Sequence, residues 1–217
     1  MQPLLSILIP TVVGRESQVE NLLNKIKGDK AWKEVKVING RYEAHFGENL
    51  GEPIWFQIYK DDKLVTIGEK RQDMYNDSNG MFSWQIDDDD DIAINAIELI
   101  LEAIKSNPEV DCITFEEYCN INGIEYKSKH SLEYGDWEGD GSKELTDGFH
   151  FHRTPFMKSV IRTDIAKSVP VPYIRFGEDH QWAQALNLHL KTEIHIPQQL
   201  YKYIHQSTDF NTRYGIK

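Results

Sequence analysis

Met81-Phe82-Ser83-Trp84-Gln85-Ile86-Asp87-Asp88-Asp89-Asp90-Asp91 is the stretch on which the reading of the whole chain turns. Its first six residues are mostly apolar or aromatic and read as a short buried strand. That strand runs directly into five carboxylates. Beyond them, Ile92 to Ser106 carries Ile94, Ile97, Leu101 and Ile104 at helical spacing and stops before Pro108, which predicts an amphipathic helix. Strand, acidic turn and helix in that order form a unit of an α/β sheet. In such sheets ligands sit at the carboxyl ends of the strands.

Five consecutive carboxylates need water or a cation. Two unit charges about 4 Å apart repel by roughly 1 kcal/mol in water and several times more in a protein-like medium. A block held between a strand and a helix is close to a core, so a hard divalent cation is the natural remedy. Mg²⁺ or Mn²⁺ takes one or two carboxylates together with phosphate oxygens. The competing reading is an acidic cluster that favours the N-terminus of the helix over 92–106, with Asp91 as a capping residue. An EF-hand is excluded, because its sixth and twelfth positions from Asp87 would be Ile92 and Glu98. An aspartyl-phosphate enzyme usually carries its acid pair after the first strand, which here ends in Pro10-Thr11.

Outward from the block, Leu4 to Ile9 reads as the first strand. Ser17 with Glu20 fits a capping box for a helix carrying Val19, Leu22, Leu23 and Ile26, closed by Gly28. Val35 to Ile38 predicts a second strand, and 39–53 a long loop. Ile54 to Tyr59 predicts a third strand and Thr66 to Asn76 a helix. After the aspartates come a strand at Cys112 to Phe115 and a polar stretch over 120–148 without periodicity. Val160-Ile161, a helix from Asp164, a helix over Asp179 to Leu190, and strands at Glu193 to Ile196 and Leu200 to Ile204 complete the pattern. The expectation is one α/β domain over 1–217, with a mostly parallel central sheet flanked by helices. Residues 1–115 would form a nucleotide- and metal-binding half, and 116–217 an acceptor-binding half.

Composition narrows the function classes. The chain has 217 residues, with 24 Lys and Arg against 35 Asp and Glu, a formal charge of −11. No basic cluster offers a track for nucleic acid, which argues against a nucleic-acid partner while leaving a modified-DNA acceptor open. Two cysteines make no disulfide scaffold, and no Cys/His spacing fits zinc. No apolar run approaches the roughly 20 residues of a membrane span, and the start carries no secretory signal. The expectation is a cytoplasmic protein.

Four pieces in order resemble the inverting nucleotide-sugar glycosyltransferases of family 2, with the GT-A (Rossmann-like) fold. They are Ser6-Ile7-Leu8-Ile9-Pro10-Thr11 with Arg15; Thr66-Ile67-Gly68-Glu69-Lys70-Arg71; Gly80 followed by the strand and Asp87-Asp88-Asp89-Asp90; and Gly177-Glu178-Asp179. The resemblance implies that Pro10, Thr11 and Arg15 lie beside the nucleotide, that Asp62 (or Asp61) reads its base, and that Lys70 and Arg71 line its diphosphate. It implies that Asp87 and Asp89 hold Mn²⁺ or Mg²⁺, with Asp88 toward the ribose and His205 near the metal. It makes Asp179, in the Glu178-Asp179 pair, the catalytic base. The segment 39–53 is longer than the family pattern, and a run of five aspartates leaves the register of the metal motif open by one.

The residues give this reading its chemistry. A sugar–phosphate bond breaks with charge building on the leaving diphosphate, which a cation and basic side chains stabilise. The acceptor hydroxyl loses a proton as it attacks, and one carboxylate within reach can take it. The plain alternatives are an N-cap for Asp179, a solvated helix face for Lys70 and Arg71, and a loop arginine for Arg15. His150 and His152 share a strand face beside Arg153. Tyr134, Trp137 and above all Trp182 could stack on a sugar, so His152 and Trp182 are the acceptor candidates, with core packing as the alternative. Two other functions compete: a non-catalytic nucleotide-sugar-binding module, and a nucleotidyltransferase. The latter normally shows a Gly-rich phosphate loop after the first strand, where only Gly14 stands.

Overall fold

The computed structural model describes residues 2–27, 32–38, 41–46, 54–61 and 64–206. The chain runs β1 (Leu5–Val12), α1 (Glu16–Lys27), β2 (Trp32–Ile38), β3 (Arg41–Phe46), β4 (Ile54–Asp61) and α2 (Ile67–Asp77). It continues through β5 (Phe82–Gln85), β6 (Asp91–Ile92), α3 (Ala96–Ser106), β7 (Cys112–Ile121) and β8 (Ile124–His130). It closes with β9 (Phe151–Arg153), β10 (Val160–Arg162), α4 (Thr163–Ser168), α5 (Glu178–Asn187) and β11 (Glu193–His205).

A mixed sheet in the order β4-β1-β5-β10-β7-β11-β6 forms the centre, with β8 added outside β7 and β9 outside β8. Its longest ladders are parallel: β1 with β4 from Leu5↔Ile54 to Val12↔Asp61, and β7 with β11 from Glu193↔Cys112 to His205↔Ile121. β10 is antiparallel to both β5 and β7, so it joins the two parallel blocks.

Alternation along β1 explains why helices cover both faces. Leu5, Ile7 and Ile9 pack with Leu22 and Ile26 of α1 and with Ile97, Ile100 and Ile104 of α3. Leu8, on the other face, packs with Met74 and Tyr75 of α2, Ala166 of α4, and Trp182 and Leu186 of α5. None of the helices among the described residues is long and apolar enough to cross a membrane.

Several boundaries differ from the sequence reading, each for an identifiable reason. The helix expected from Ile92 begins at Ala96, because Asp91-Ile92 pairs instead with Lys202 and Tyr201 of β11. Ile94 therefore lies outside the helix and is exposed rather than in its apolar face. Asp91 caps no helix; it accepts from Lys25 Nζ and from the Ile92 N–H. The expected capping box does not form, because α1 starts at Glu16 and the Ser17 hydroxyl donates to the neighbouring Gln18 side chain. Gly28 lies outside the described residues.

The loop expected over 39–53 contains β3, and the polar stretch over 120–148, which reads as a meander or a loop, contains β8. β2 and β3 pair from Ile38↔Arg41 outward, and β7 and β8 from Ile121↔Ile124. Both connections are two residues, Asn39-Gly40 and Asn122-Gly123. Asn122 and Gly123 have φ of 54° and 84°, the left-handed values that a tight hairpin turn needs. The two closing strands are one, β11, which shifts register twice between Ile196 and Tyr201.

Candidate functional site

β1 and β5 end side by side, and the aspartates follow β5 immediately. The Asp90 N–H donates to the Asp87 carbonyl at 3.1 Å and closes a tight turn over 87–90. Four carboxylates so close can persist only if each is met by a compensating group, and each is, with Arg15 serving both Asp88 and Asp89.

Asp88 points back into the protein and is 3% exposed. It accepts from the Thr11 hydroxyl at 2.6 Å and from Arg15. Burial pushes its carboxyl up to about 6, against the pull of Thr11 and Arg15. Asp89 accepts from the other arm of Arg15 at 2.8 Å, and its side chain is 26% exposed. Asp87 accepts from Arg71 at 2.9 Å and is similarly open. Asp90 faces inward, where Tyr201 Oη donates to it at 2.8 Å, the Ile204 N–H at 2.8 Å, and Lys158 Nζ lies 3.2 Å away. The same Tyr201 hydroxyl accepts from the Asp87 N–H at 3.1 Å, so one phenol grips both ends of the turn.

α2 supplies the basic side of the cleft. Thr66 caps it by accepting from the Glu69 N–H at 3.1 Å, which places Lys70 and Arg71 one turn in. Gly68 is required here, because a methyl group would drive into the Pro172 carbonyl and part α2 from the 172–174 backbone. Lys70 Nζ donates to the Thr11 carbonyl at 2.6 Å. The Arg71 guanidinium reaches three elements: Gln85 at 2.6 Å, Asp87 at 2.9 Å and Glu178 at 3.3 Å. Burial opposes its charge, but the fields of Asp87, Glu178 and Asp179 outweigh it and hold the group charged.

α5 brings the second acidic pair. Gly177 starts it at φ 78°, a left-handed conformation that favours glycine. Glu178 is buried, and burial raises its carboxyl against the pull of Arg71. Asp179 is half-buried, accepts from the His180 N–H at 2.8 Å, and acts electrostatically on both Arg71 and Arg153. Asp179 therefore sits inside the first turn of the helix, with Gly177 at the cap position.

Thr11, Arg15, Lys70, Arg71, Asp87, Asp88, Asp89, Glu178 and Asp179 are thus brought to one cleft at the carboxyl ends of β1 and β5. Pro10 is buried within β1, opposite Tyr59. Asp62 lies outside the described residues, and the Asp61 side chain is likewise not described. The two acceptor candidates have packing partners of their own. Trp182 is fully buried, stacked on Tyr75 at 5.1 Å with its indole N–H donating to the Val169 carbonyl, and is a core residue. His152 is largely buried, stacked on Tyr134 at 4.1 Å and bonded to Asp147 at 2.9 Å, so its ring serves the 134–152 segment itself. His205 ends β11, stacked on Tyr203. It is not gathered with Asp87 and Asp89 into one ligand set, because β11 meets the turn through Tyr201 and the Ile204 N–H.

Among the described residues no three His, Cys, Asp or Glu side chains form a group that could hold a metal ion alone. Asp87 and Asp89 nevertheless offer two partly open, hard oxygen donors on one turn. Mg²⁺ is commonly bound by one or two carboxylates while substrate phosphates and water complete its shell. The donor set fits a hard divalent ion whose remaining ligands are not protein carboxylates.

The residues missed from sequence are Gln85, Lys158 and Tyr201. Each touches a residue of the acidic turn or its arginine, and none stands in a recognisable pattern. A cavity of about 420 Å³ at the opposite ends of the strands, between Gly80, Thr163 and Lys167, is separate from this chemistry. Its Lys167 is engaged by the Ser78 carbonyl, and its Arg162 by the Val110 and Pro108 carbonyls.

No protein-family model and no curated protein sequence matches the chain. Its fold is shared with solved structures. S. aureus TarS 1–349 in complex with UDP aligns with a TM-score of 0.58 at 16% identity, over 98% of this chain and 63% of that chain. The same TarS segment in complex with UDP-GlcNAc gives a TM-score of 0.61 at 14% identity, over 95% of this chain and 59% of that chain. The chain therefore spans about three fifths of the TarS segment it matches.

Proposed function

We propose that the chain is a glycosyltransferase that moves a sugar from a nucleotide diphosphate donor, UDP-linked, to a hydroxyl acceptor with inversion at the anomeric carbon. One observation carries the reading. Arg71 ties the aspartate turn to the Glu178-Asp179 pair, so two acidic clusters and a cation share one cleft. Support comes from the fold, which is that of a protein crystallised with UDP and with UDP-GlcNAc.

In this reading Thr11, Arg15 and Asp88 hold the nucleoside, and Lys70 stiffens the Thr11 backbone beside it. Arg71 faces the diphosphate, where its charge stabilises the leaving group as the sugar–phosphate bond breaks. Asp87 and Asp89 would hold Mn²⁺ or Mg²⁺, which supplies further charge neutralisation at the phosphates when bound. Asp179 accepts the proton of the attacking hydroxyl, and a single displacement inverts the anomeric carbon. Glu178 is bound to Arg71 and positions it.

Calorimetric titration with UDP, UDP-GlcNAc and other nucleotide sugars, in Mn²⁺ and in EDTA, tests the proposal on wild type and Asp89→Ala. The expected result is binding of a UDP-linked donor that weakens at least tenfold in EDTA and in Asp89→Ala. Failure of every nucleotide to bind in Mn²⁺ overturns it.

A further inference from the structure

Lys158 stands in the Thr154-Pro155-Phe156-Met157-Lys158-Ser159 connection between β9 and β10, outside every motif noted above. Its side chain is only 11% exposed, although an ammonium group is rarely taken from water. The backbone around it is fixed against β5. The Gln85 N–H donates to the Met157 carbonyl at 3.3 Å, and the Trp84 indole N–H donates to the Lys158 carbonyl at 2.8 Å. Its Nζ lies 3.2 Å from Asp90 and 3.2 Å from Glu117 of β7. It also lies 3.7 Å from the Tyr203 ring centroid and 4.7 Å from that of Tyr201. Glu117 has a further hydrogen-bond partner in the fully buried His130, at 3.2 Å.

From this arrangement we infer that Lys158 is a positioning residue for the donor site, acting through Asp90 to set the turn that presents Asp87 and Asp89. The inference rests on the reading of that turn as the donor site. Asp90 itself is not available to a ligand, since Tyr201, the Ile204 N–H and Lys158 occupy its carboxylate. The acid serves as a peg by which the far half of the sheet holds the turn. Lys158 sets a full positive charge against Asp90, and the two tyrosine rings hold that charge in place. Without it, an unpaired carboxylate in a dry setting either draws in water or swings out. Either change moves Asp87 and Asp89, which are three residues and one residue away.

The test is UDP affinity in Mn²⁺, by calorimetry on the full chain, with melting temperature measured alongside. Lys158→Met is expected to weaken UDP at least tenfold, and Lys158→Arg, which keeps the charge, to stay within about threefold of wild type. Asp90→Asn/Lys158→Met removes both charges and is expected to recover most of the loss, because no unpaired ion remains at the turn. Glu117→Gln disturbs the same buried cluster at its other end. It is expected to lower the melting temperature as Lys158→Met does while leaving UDP affinity unchanged. Should Lys158→Met fail to fold, Lys158→Gln against Glu117→Gln carries the comparison, the first weakening UDP and the second not. Equal loss of affinity in Glu117→Gln would reduce Lys158 to general packing, and wild-type affinity in Lys158→Met would make it a spectator. If wild type binds no UDP at all, the donor-site reading itself falls, an outcome distinct from both.

Discussion

The two acidic clusters of the cleft are held in opposite ways. The 87–90 turn is fixed from all sides: β1 through Thr11, the following loop through Arg15, α2 through Arg71, β11 through Tyr201 and Ile204, and the β9–β10 connection through Lys158. The Glu178-Asp179 pair is tied to the rest of the cleft by Arg71, with Asp179 otherwise bonded to its own helix. On the proposed reading, a turn fixed by five segments suits a site that holds diphosphate and cation in one geometry. An acid near a helix start, anchored by a neighbour rather than directly, keeps an open oxygen for a proton.

The sharpest break of this contrast is Asp179→Asn. It is expected to lower transfer, measured as UDP release, by about 10²–10⁴-fold, the usual contribution of a general base. UDP affinity should stay at the wild-type value, since the turn does not depend on Asp179. A loss of affinity as large as the loss of rate would merge the two clusters into one binding site.

Arg71→Met strikes the link itself. It leaves Glu178 buried without its cation and is expected to cost about 3–5 kcal/mol in denaturant unfolding. Here binding and transfer should fall together, in contrast to Asp179→Asn.

Asp88 tests how dry the turn is. Its folded value of about 6 exceeds the 3.8 expected unfolded, so the native state holds its proton more tightly. That contribution to stability is complete below about pH 3.8 and is lost as pH rises through about 6. Asp88→Asn is expected to flatten the pH dependence of unfolding between pH 4 and 7, by no more than about 3 kcal/mol. An unchanged profile would mean that the turn is wetter than its 3% exposure implies.

Arg15→Gln is the mildest change. Arg15 is only partly buried and spans Asp88 and Asp89, so about tenfold in UDP affinity is expected, with little change in melting temperature. Wild-type affinity in this variant would assign the turn's charge balance to Arg71 and Lys158 alone.

What the sequence reveals about this site follows from chemistry that needs an unusual pattern. Five aspartates after a strand are costly anywhere else, so Asp87 to Asp89 could be found, and the strand–helix alternation placed them. The hairpins at Asn39-Gly40 and Asn122-Gly123 carried the strongest short-range turn signal, yet the polar residues around them resembled loop. Lys158 and Tyr201 were illegible for another reason. A lysine that balances a buried aspartate 68 positions away, and a tyrosine that grips a turn from the last strand, have no local signature. Trp182 stands three residues after Asp179 on the helix, near the cleft in sequence, but its side chain turns to the Tyr75 face of the core, a direction that sequence spacing does not show.

β11 carries one more consequence. It is thirteen residues long, and on the side away from β7 its ladder partner among the described residues is the short β6, at Tyr201 and Lys202, with the Ala93 N–H donating to the Leu200 carbonyl beside it. Such a border would ordinarily invite a second chain to dock strand on strand. Pro197 offers no N–H in its middle, and the register shifts between Ile196 and Tyr201 break its straight run of donors. The irregularity just before Tyr201 thus also spoils the border as a template. Straightening it, by Pro197→Val for example, would be felt first in concentrated solution, as self-association, before any loss of fold.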